Sequence, residues 1–261
     1  MDWIQDQGLA YLQFPMLSNL PGFFHGIFLR QAADQQGKSE EFNLGMGCGT
    51  PEDQVWSNRQ RMLDAFGKDH VAIYARQVHG TQVGIWNSKP ASAAVIRLHG
   101  DALVTQQAAS ALVILTADCQ SVIVIDPVKR VAANIHSGWR GSIGNIIGRT
   151  IQAMVTEFAC RPQDLVCGIG PSLGPCCAEF INYRQEIPRS FWRYRHPGNY
   201  FDFWQISMDQ LAAAGVRRRN ISVAGICTKC NQHLFFSYRG DSKTGRFAAV
   251  VGLRSDEGTV V

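Results

Sequence analysis

NIHSGWRG, residues Asn134–Gly141, is the stretch on which the fold turns. In front of it lies the apolar run Val131–Ile135. Behind it Ile143, Ile146, Ile147, Ile151, Met154, Val155 and Phe158 recur at three- and four-residue steps. A short apolar run giving way to a 3.6-residue period means that a buried strand ends here and an amphipathic helix begins, expected over 143–158. The glycines allow a sharp turn, which aims Arg140 back at the strand end. Just upstream, TADC (Thr116–Cys119) separates the runs Ala111–Thr116 and Ser121–Ile125. Cys119 and His136 are therefore seventeen residues apart, each at the end of a strand-like run. A thiol and an imidazole at neighbouring strand ends suit either a zinc site or a Cys/His nucleophile pair.

Working outward, further strand-like runs are His25-containing 23–30, Val71–Val78, Gln82–Trp86, Leu165–Ile169, Ile221–Ile226, Leu234–Tyr238 and Phe247–Leu253. A helix is expected over Glu52–Phe66, with Thr50 as N-cap, Pro51 in the first turn and Gly67 as its stop. Its apolar face is Val55, Met62, Leu63 and Phe66, which leaves Asn58 and Arg59 beside the core stripe. A third helix is expected over Ser207–Ala214, capped by Ser207 with Gln210 and stopped by Gly215. Strands come in runs without strict β-α alternation. The expected fold is α+β, a single layered α/β/α sandwich with mixed sheets, in one domain over residues 1–261.

Composition narrows the function classes. Hydrophobic residues make up 46% of the 261, enough for a large core, and charged residues 18%. The net charge of +4 and the lone basic run Arg217–Arg219 do not make a nucleic-acid surface. The opening MDWIQDQ is not a signal peptide, and no apolar stretch approaches the roughly 20 residues of a membrane span. Several of the eight cysteines (Cys119, Cys167, Cys227) lie in strand-like runs, so a reducing cytoplasm is expected. Cys227-x-x-Cys230 has no second pair at zinc-ribbon spacing, and the adjacent Cys176 and Cys177 rarely bridge without strain; both pairs read as structural.

A third ligand candidate is His79, in RQVHG (Arg76–Gly80), which closes its own strand-like run. His79, Cys119 and His136 supply two imidazoles and a thiolate and leave a fourth position open, the mark of a catalytic zinc. Asp118 or Glu179 is a candidate to move protons. If Asp118 alternates with Cys119 on a strand, it faces away and supports a ligand histidine instead. The aromatic stretch Tyr183–Trp204 reads as packing on the body in preference to a lid.

With these residues in order, RQVHG, GDALVT (Gly100–Thr105), TADC, HSGWRG, IGPSLGPCC (Ile169–Cys177), and FFSYRGD with TGR (Phe235–Arg246), the chain resembles the multicopper polyphenol oxidase or laccase-domain family, YfiH-like, now regarded as purine nucleoside phosphorylases. The resemblance runs from about His25 to Leu253. Ala178 stands where that family usually has tyrosine, and Gly240 where it has arginine.

The resemblance implies an α/β/α domain and a zinc site of His79, Cys119 and His136, with copper the alternative. It implies phosphorolysis of adenosine, inosine, guanosine and methylthioadenosine, and deamination of adenosine. The catalytic set expected here is Cys119, His136 and Arg140, with Arg59, Arg140, Ser237, Tyr238 and Arg239 binding substrate or phosphate. Arginine suits phosphate because its planar fork pairs with two oxygens. The partners expected are a purine nucleoside and phosphate, with no nucleic acid or membrane, in a cytoplasmic monomer or homodimer. Copper-dependent phenol oxidation, peptidoglycan-precursor amidase activity and a silent metal-binding module are the rival readings. Seven histidines, mostly scattered, are few for a site of several coppers.

Overall fold

Two mixed β-sheets lie face to face, with helices on both outer surfaces. The computed structural model describes residues 1–34, 37–68, 70–88 and 95–255. The first sheet runs Asp2–Asp6, Leu9–Gln13, Phe23–Ala33, Phe247–Leu253, Ser110–Thr116, Val71–Arg76, Ile96–His99, with Ser39–Glu41 beside Phe23–Ala33. The second runs Ile221–Val223, Val166–Ile169, Gln120–Asp126, Val131–Ser137, Ala102–Thr105, Val83–Trp86. The expected α+β layered sandwich with mixed sheets holds, and its β layer is double.

Strand alternation sorts the side chains into layers. Leu112, Ile114 and Ala249 of the first sheet meet Leu103, Ile123, Ile125 and Ala132 of the second, forming the inter-sheet core. Their neighbours Val113, Ala248 and Val250 point outward onto Met62, Leu63 and Phe66. On the opposite surface Val122, Val124, Ala133 and Ile135 pack on Ile146, Ile147, Ile151 and Met154. Asn134, beside these residues on strand Val131–Ser137, faces inward. Its Nδ2 donates across the gap to the carbonyls of Leu112 and Ala249, at 3.0 and 2.9 Å. Two donors of one buried side chain, both accepted by the opposing sheet, help fix how the two sheets register.

Several elements differ from their sequence expectation. The helix expected over 143–158 is two: Trp139–Ile143, then Ile146–Phe158. Between them Asn145 takes a left-handed conformation, and its side chain accepts the Gly148 amide, an N-cap that restarts the helix. The third helix is Phe203–Ala213, capped by Asp202 through the Gln205 amide at 2.9 Å, so Ser207 is not a cap. Ser207 lies inside the helix and donates its hydroxyl to Gln120. Leu234–Tyr238 is a turn, with Phe235 and Phe236 buried in the inter-sheet core instead of on a strand. Asn58 and Arg59 belong to the buried stripe of helix Glu52–Asp64, because the 3.6 period between Val55 and Met62 passes through them. Backbone carbonyls make this tolerable: Asn58 donates to Asn43, and Arg59 donates twice to Leu44. No helix among the described residues is long and apolar enough to cross a membrane.

Candidate metal centre and its cleft

At one end of the sandwich the chain passes from the first sheet to the second three times. The passages join Val71–Arg76 to Val83–Trp86, Ile96–His99 to Ala102–Thr105, and Ser110–Thr116 to Gln120–Asp126. His79 lies on the first passage, Asp101 on the second and Cys119 on the third, while His136 sits near the end of Val131–Ser137. Two of these corners hold non-glycine residues at positive φ, His79 at 60° and Asp118 at 89°. Such conformations cost about 1–3 kcal/mol each and persist where the surroundings impose them.

The ligand atoms of His79, Cys119 and His136 all lie within 4.8 Å of one another, a group that can hold a metal ion. His79 Nε2 is 3.7 Å from Cys119 Sγ. A tetrahedral zinc with ordinary Zn–S and Zn–N bonds separates such a pair by about 3.6 Å. His136 Nδ1 donates to Asp101 Oδ1 at 2.8 Å, which leaves Nε2 for the centre. Asp101 is fully buried and also accepts the amides of Val78, His79 and Gly80, at 3.2, 2.8 and 2.7 Å. One carboxylate thus shapes the His79 corner and orients His136.

The charges agree with that geometry. Burial pushes the Asp101 carboxyl up, but hydrogen bonds from His136 and from the Gly80 and Val78 amides outweigh it and hold it at about 2. Burial likewise opposes thiolate at Cys119, yet the two histidines bring it down to about 6. His136 is raised to about 9: burial disfavours its cation, and Asp101 and Cys119 more than compensate. Once an ion displaces the His136 Nε2 proton, a thiolate and two imidazoles make a donor set suited to zinc. Gly138 closes the remaining side. A Cβ there would stand 2.7 Å from His79 Cδ2 and 3.2 Å from Cys119 Sγ, so only glycine lets the turn approach the ligands.

The centre opens into a cleft of about 1160 Å³. Arg59, Arg76, Arg97, Arg140, Arg239 and Arg246 line it, and Asp118 is the acidic residue among its walls. Such a surface favours anions. Trp139 and Phe180 face each other edge to face, centroids 5.8 Å apart, on the same wall. Arg140 is exposed, stacks on Trp139 at 4.4 Å and makes no ion pair among the described residues, so its fork is available to a ligand. Arg239 is held by the carbonyls of Cys177 and Glu179 through Nη1. Tyr238 is 56% exposed at the cleft mouth.

The structure therefore brings His79, Cys119, His136, Arg59, Arg140, Tyr238 and Arg239 to one cleft. Ser237 is not among its lining residues; it is 1% exposed and accepts the Gly240 amide, so it supports the turn. Arg59 reaches the cleft from a buried position between Trp56 and Tyr74, with burial lowering its pKa. Asp118 does not support a ligand histidine. It accepts the Thr228 hydroxyl at 2.6 Å and the Arg239 amide at 2.6 Å, and Asp101 holds the histidine instead. Glu179 meets Arg239 through its carbonyl, and its side chain is not part of the lining. The aromatic stretch packs as a small core of Tyr183, Tyr194, Phe201 and Phe203, as expected. Sequence reasoning missed Asp101 as a support, and Arg76, Arg97 and Arg246 as cleft cations. The strand assignment for Val71–Val78 was the signal available for Arg76, which closes that strand.

Comparison with known proteins places the chain in a family. Residues 24–254 match the model of the multi-copper polyphenol oxidoreductase laccase family. Purine nucleoside phosphorylase YlmD of Geobacillus stearothermophilus is 31% identical over 252 residues, covering 90% of this chain and 92% of its own. A purine nucleoside phosphorylase of Xylella fastidiosa is 33% identical over 227 residues, covering 82% and 85%. The crystal structure of YlmD from Geobacillus stearothermophilus superposes with a TM-score of 0.79 at 28% identity, over 97% of this chain and 99% of that one.

Proposed function

The chain belongs to the multi-copper polyphenol oxidoreductase laccase family, and from that premise we propose that it is a zinc-dependent purine nucleoside phosphorylase, acting on adenosine, inosine, guanosine and methylthioadenosine, with adenosine deamination as a second activity of the same centre. The observation that carries the reading is the junction of the His79, Cys119 and His136 triad with a cleft lined by six arginines. The names of the relatives support the phosphorylase class.

The residues divide the task. Phosphorolysis needs phosphate held against the anomeric carbon of the ribose while the bond to the purine nitrogen breaks; the products are the free base and ribose 1-phosphate. Arg140 binds phosphate oxygens with its free fork, and Arg239, anchored by two carbonyls, adds a second cation in the same cleft. Trp139 and Phe180 offer ring surfaces to the purine. Both arginines and rings orient the reactants, and orientation supplies much of such a barrier reduction. His79, Cys119 and His136 would hold zinc, which when bound would supply Lewis-acid stabilisation of developing negative charge. Asp101 keeps the His136 proton on Nδ1.

Multicopper oxidation is the weaker reading. Among the described residues one ligand cluster contains histidine, and it has two. His25 is turned inward, its Nε2 accepting the Phe14 amide at 2.8 Å.

The test is release of free base from adenosine and inosine by metal-quantified protein, with and without phosphate, alongside His136→Ala. Release that requires phosphate, follows zinc content and disappears in the variant is the expected result. No release from either nucleoside by zinc-loaded protein would overturn the reading.

A further inference from the structure

The two cysteine pairs that look unrelated in sequence meet in space. Cys176 and Cys177 lie in a turn after strand Val166–Ile169, and Cys227 and Cys230 in a turn after strand Ile221–Val223. Those strands are parallel neighbours, and their extensions stay laced together. Ser172 bridges Cys227, the Ser172 amide donates to Ile226 O, and the Thr228 amide donates to Ser172 O. The result gathers four sulfurs within 4.8 Å of one another. From these positions we propose a second metal centre: Cys176, Cys177, Cys227 and Cys230 bind one zinc-class divalent ion as a structural tetrathiolate site that braces the cleft wall.

Distances carry the argument first. A tetrahedron with Zn–S bonds of about 2.3 Å has edges of about 3.8 Å. Cys230 Sγ lies 3.6 Å from Cys176 Sγ and 3.5 Å from Cys177 Sγ. A disulfide needs one pair at about 2.05 Å, and here no pair is singled out. All four thiols are free.

The second observation is the backbone around Cys227. The Gly174 amide donates to its sulfur at 3.3 Å, and the Cys230 amide is aimed at the same atom. Amides directed at sulfur stabilise thiolate, the form that binds metal, and they come here from both turns. Cys176 and Cys230 are exposed, which gives an ion its way in. Binding displaces the thiol protons to solvent. No oxidant or reductant is required.

The position suggests what the ion does. Leu173 and Ala178, on either side of the first pair, line the cleft, and Arg239 is held by the Cys177 carbonyl. Thr228, inside the second pair, donates to Asp118, the residue before Cys119. A fixed ion at the four cysteines thus braces the wall that carries Arg239. The inference stands apart from which substrate is cleaved.

Metal content of the full-length protein, purified under reducing conditions, tests it, followed by exchange into cobalt alone to read sulfur-to-metal charge-transfer absorption. The expected result is about two equivalents per chain. Cys176→Ser combined with Cys230→Ser loses about one equivalent and most of the thiolate absorption, while His136→Ala loses the other and keeps that absorption. Cys230→His keeps both equivalents with a shifted cobalt spectrum, which guards against loss by misfolding. The proposal is overturned by wild-type protein holding one equivalent that vanishes in His136→Ala, by cysteine variants that keep the full content and spectrum, or by thiol titration finding a disulfide among the four.

Discussion

The histidine–cysteine centre and the four-cysteine cluster stand on either side of Asp118, yet they are made in different ways. The first is assembled from inter-sheet passages and a strand end, with His136 buried and oriented by Asp101. The second is assembled from two turns, with two of its four cysteines exposed. A site on strand ends is positioned by the sheet hydrogen bonds and opens into the cleft. A site on turns makes a position where the sheets have already ended. The first is suited to chemistry, the second to holding loops.

Removing a ligand of the first centre, as in His136→Ala or Cys119→Ala, should lower phosphorolytic kcat/KM by about a thousandfold or more, since a catalytic ion supplies several kcal/mol. Chelation should do the same reversibly. Thermal unfolding should move little for Cys119→Ala, which lies outside the inter-sheet core, whereas His136→Ala also strips the buried Asp101 carboxylate of its partner. Equal loss of stability from both centres would show that the first is structural too.

Asp101→Asn sharpens the same contrast. The amide cannot accept from three backbone amides and His136 as the carboxylate does. Metal affinity, measured by competition with a chromophoric chelator, should fall by about 10–100-fold at the first centre and stay unchanged at the cysteines.

How far these sites were legible in sequence follows from how each is built. His79, Cys119 and His136 were legible because each closes an apolar run, and a run end is where a sheet presents side chains. Asp101 was not, because it occupies a two-residue passage between strands whose length says nothing of the sheet change. Arg76 closes one strand, Arg97 lies inside Ile96–His99 and Arg246 precedes Phe247–Leu253, so only the topology joins them. The layered fold was legible from strands in runs, whereas the split helix needed the left-handed Asn145, which no periodicity reveals. The four cysteines were read as separate pairs because the parallel pairing of Val166–Ile169 with Ile221–Val223 is a tertiary fact.

Arg140→Ala probes the cleft between the two centres. It should raise KM for phosphate by about tenfold or more, matching the 1.5–3 kcal/mol of a hydrogen bond to a charged group, with KM for nucleoside less affected. Arg140→Lys should recover part of the loss, since it restores charge without the fork. A nucleoside KM that rises as much as the phosphate KM would move Arg140 to the sugar or base.

The smallest effect is the most discriminating. Thr228→Val keeps the volume near constant but removes the hydroxyl that donates to Asp118 Oδ1 at 2.6 Å. Asp118 retains the Arg239 amide on Oδ2, and its own carbonyl still accepts the Leu173 amide. The substitution therefore cuts one strand of the link between the cysteine turn and the Cys119 corner and leaves the others. Loss of one hydrogen bond to a charged acceptor costs about 1.5–3 kcal/mol, though solvent reaching this half-open wall should reduce that to about 1 kcal/mol. If the cysteine turn braces the cleft, Thr228→Val should lower kcat/KM by about fivefold with both metals retained. Thermal stability falling by the same amount with kinetics untouched would mean that the two centres are neighbours without being coupled.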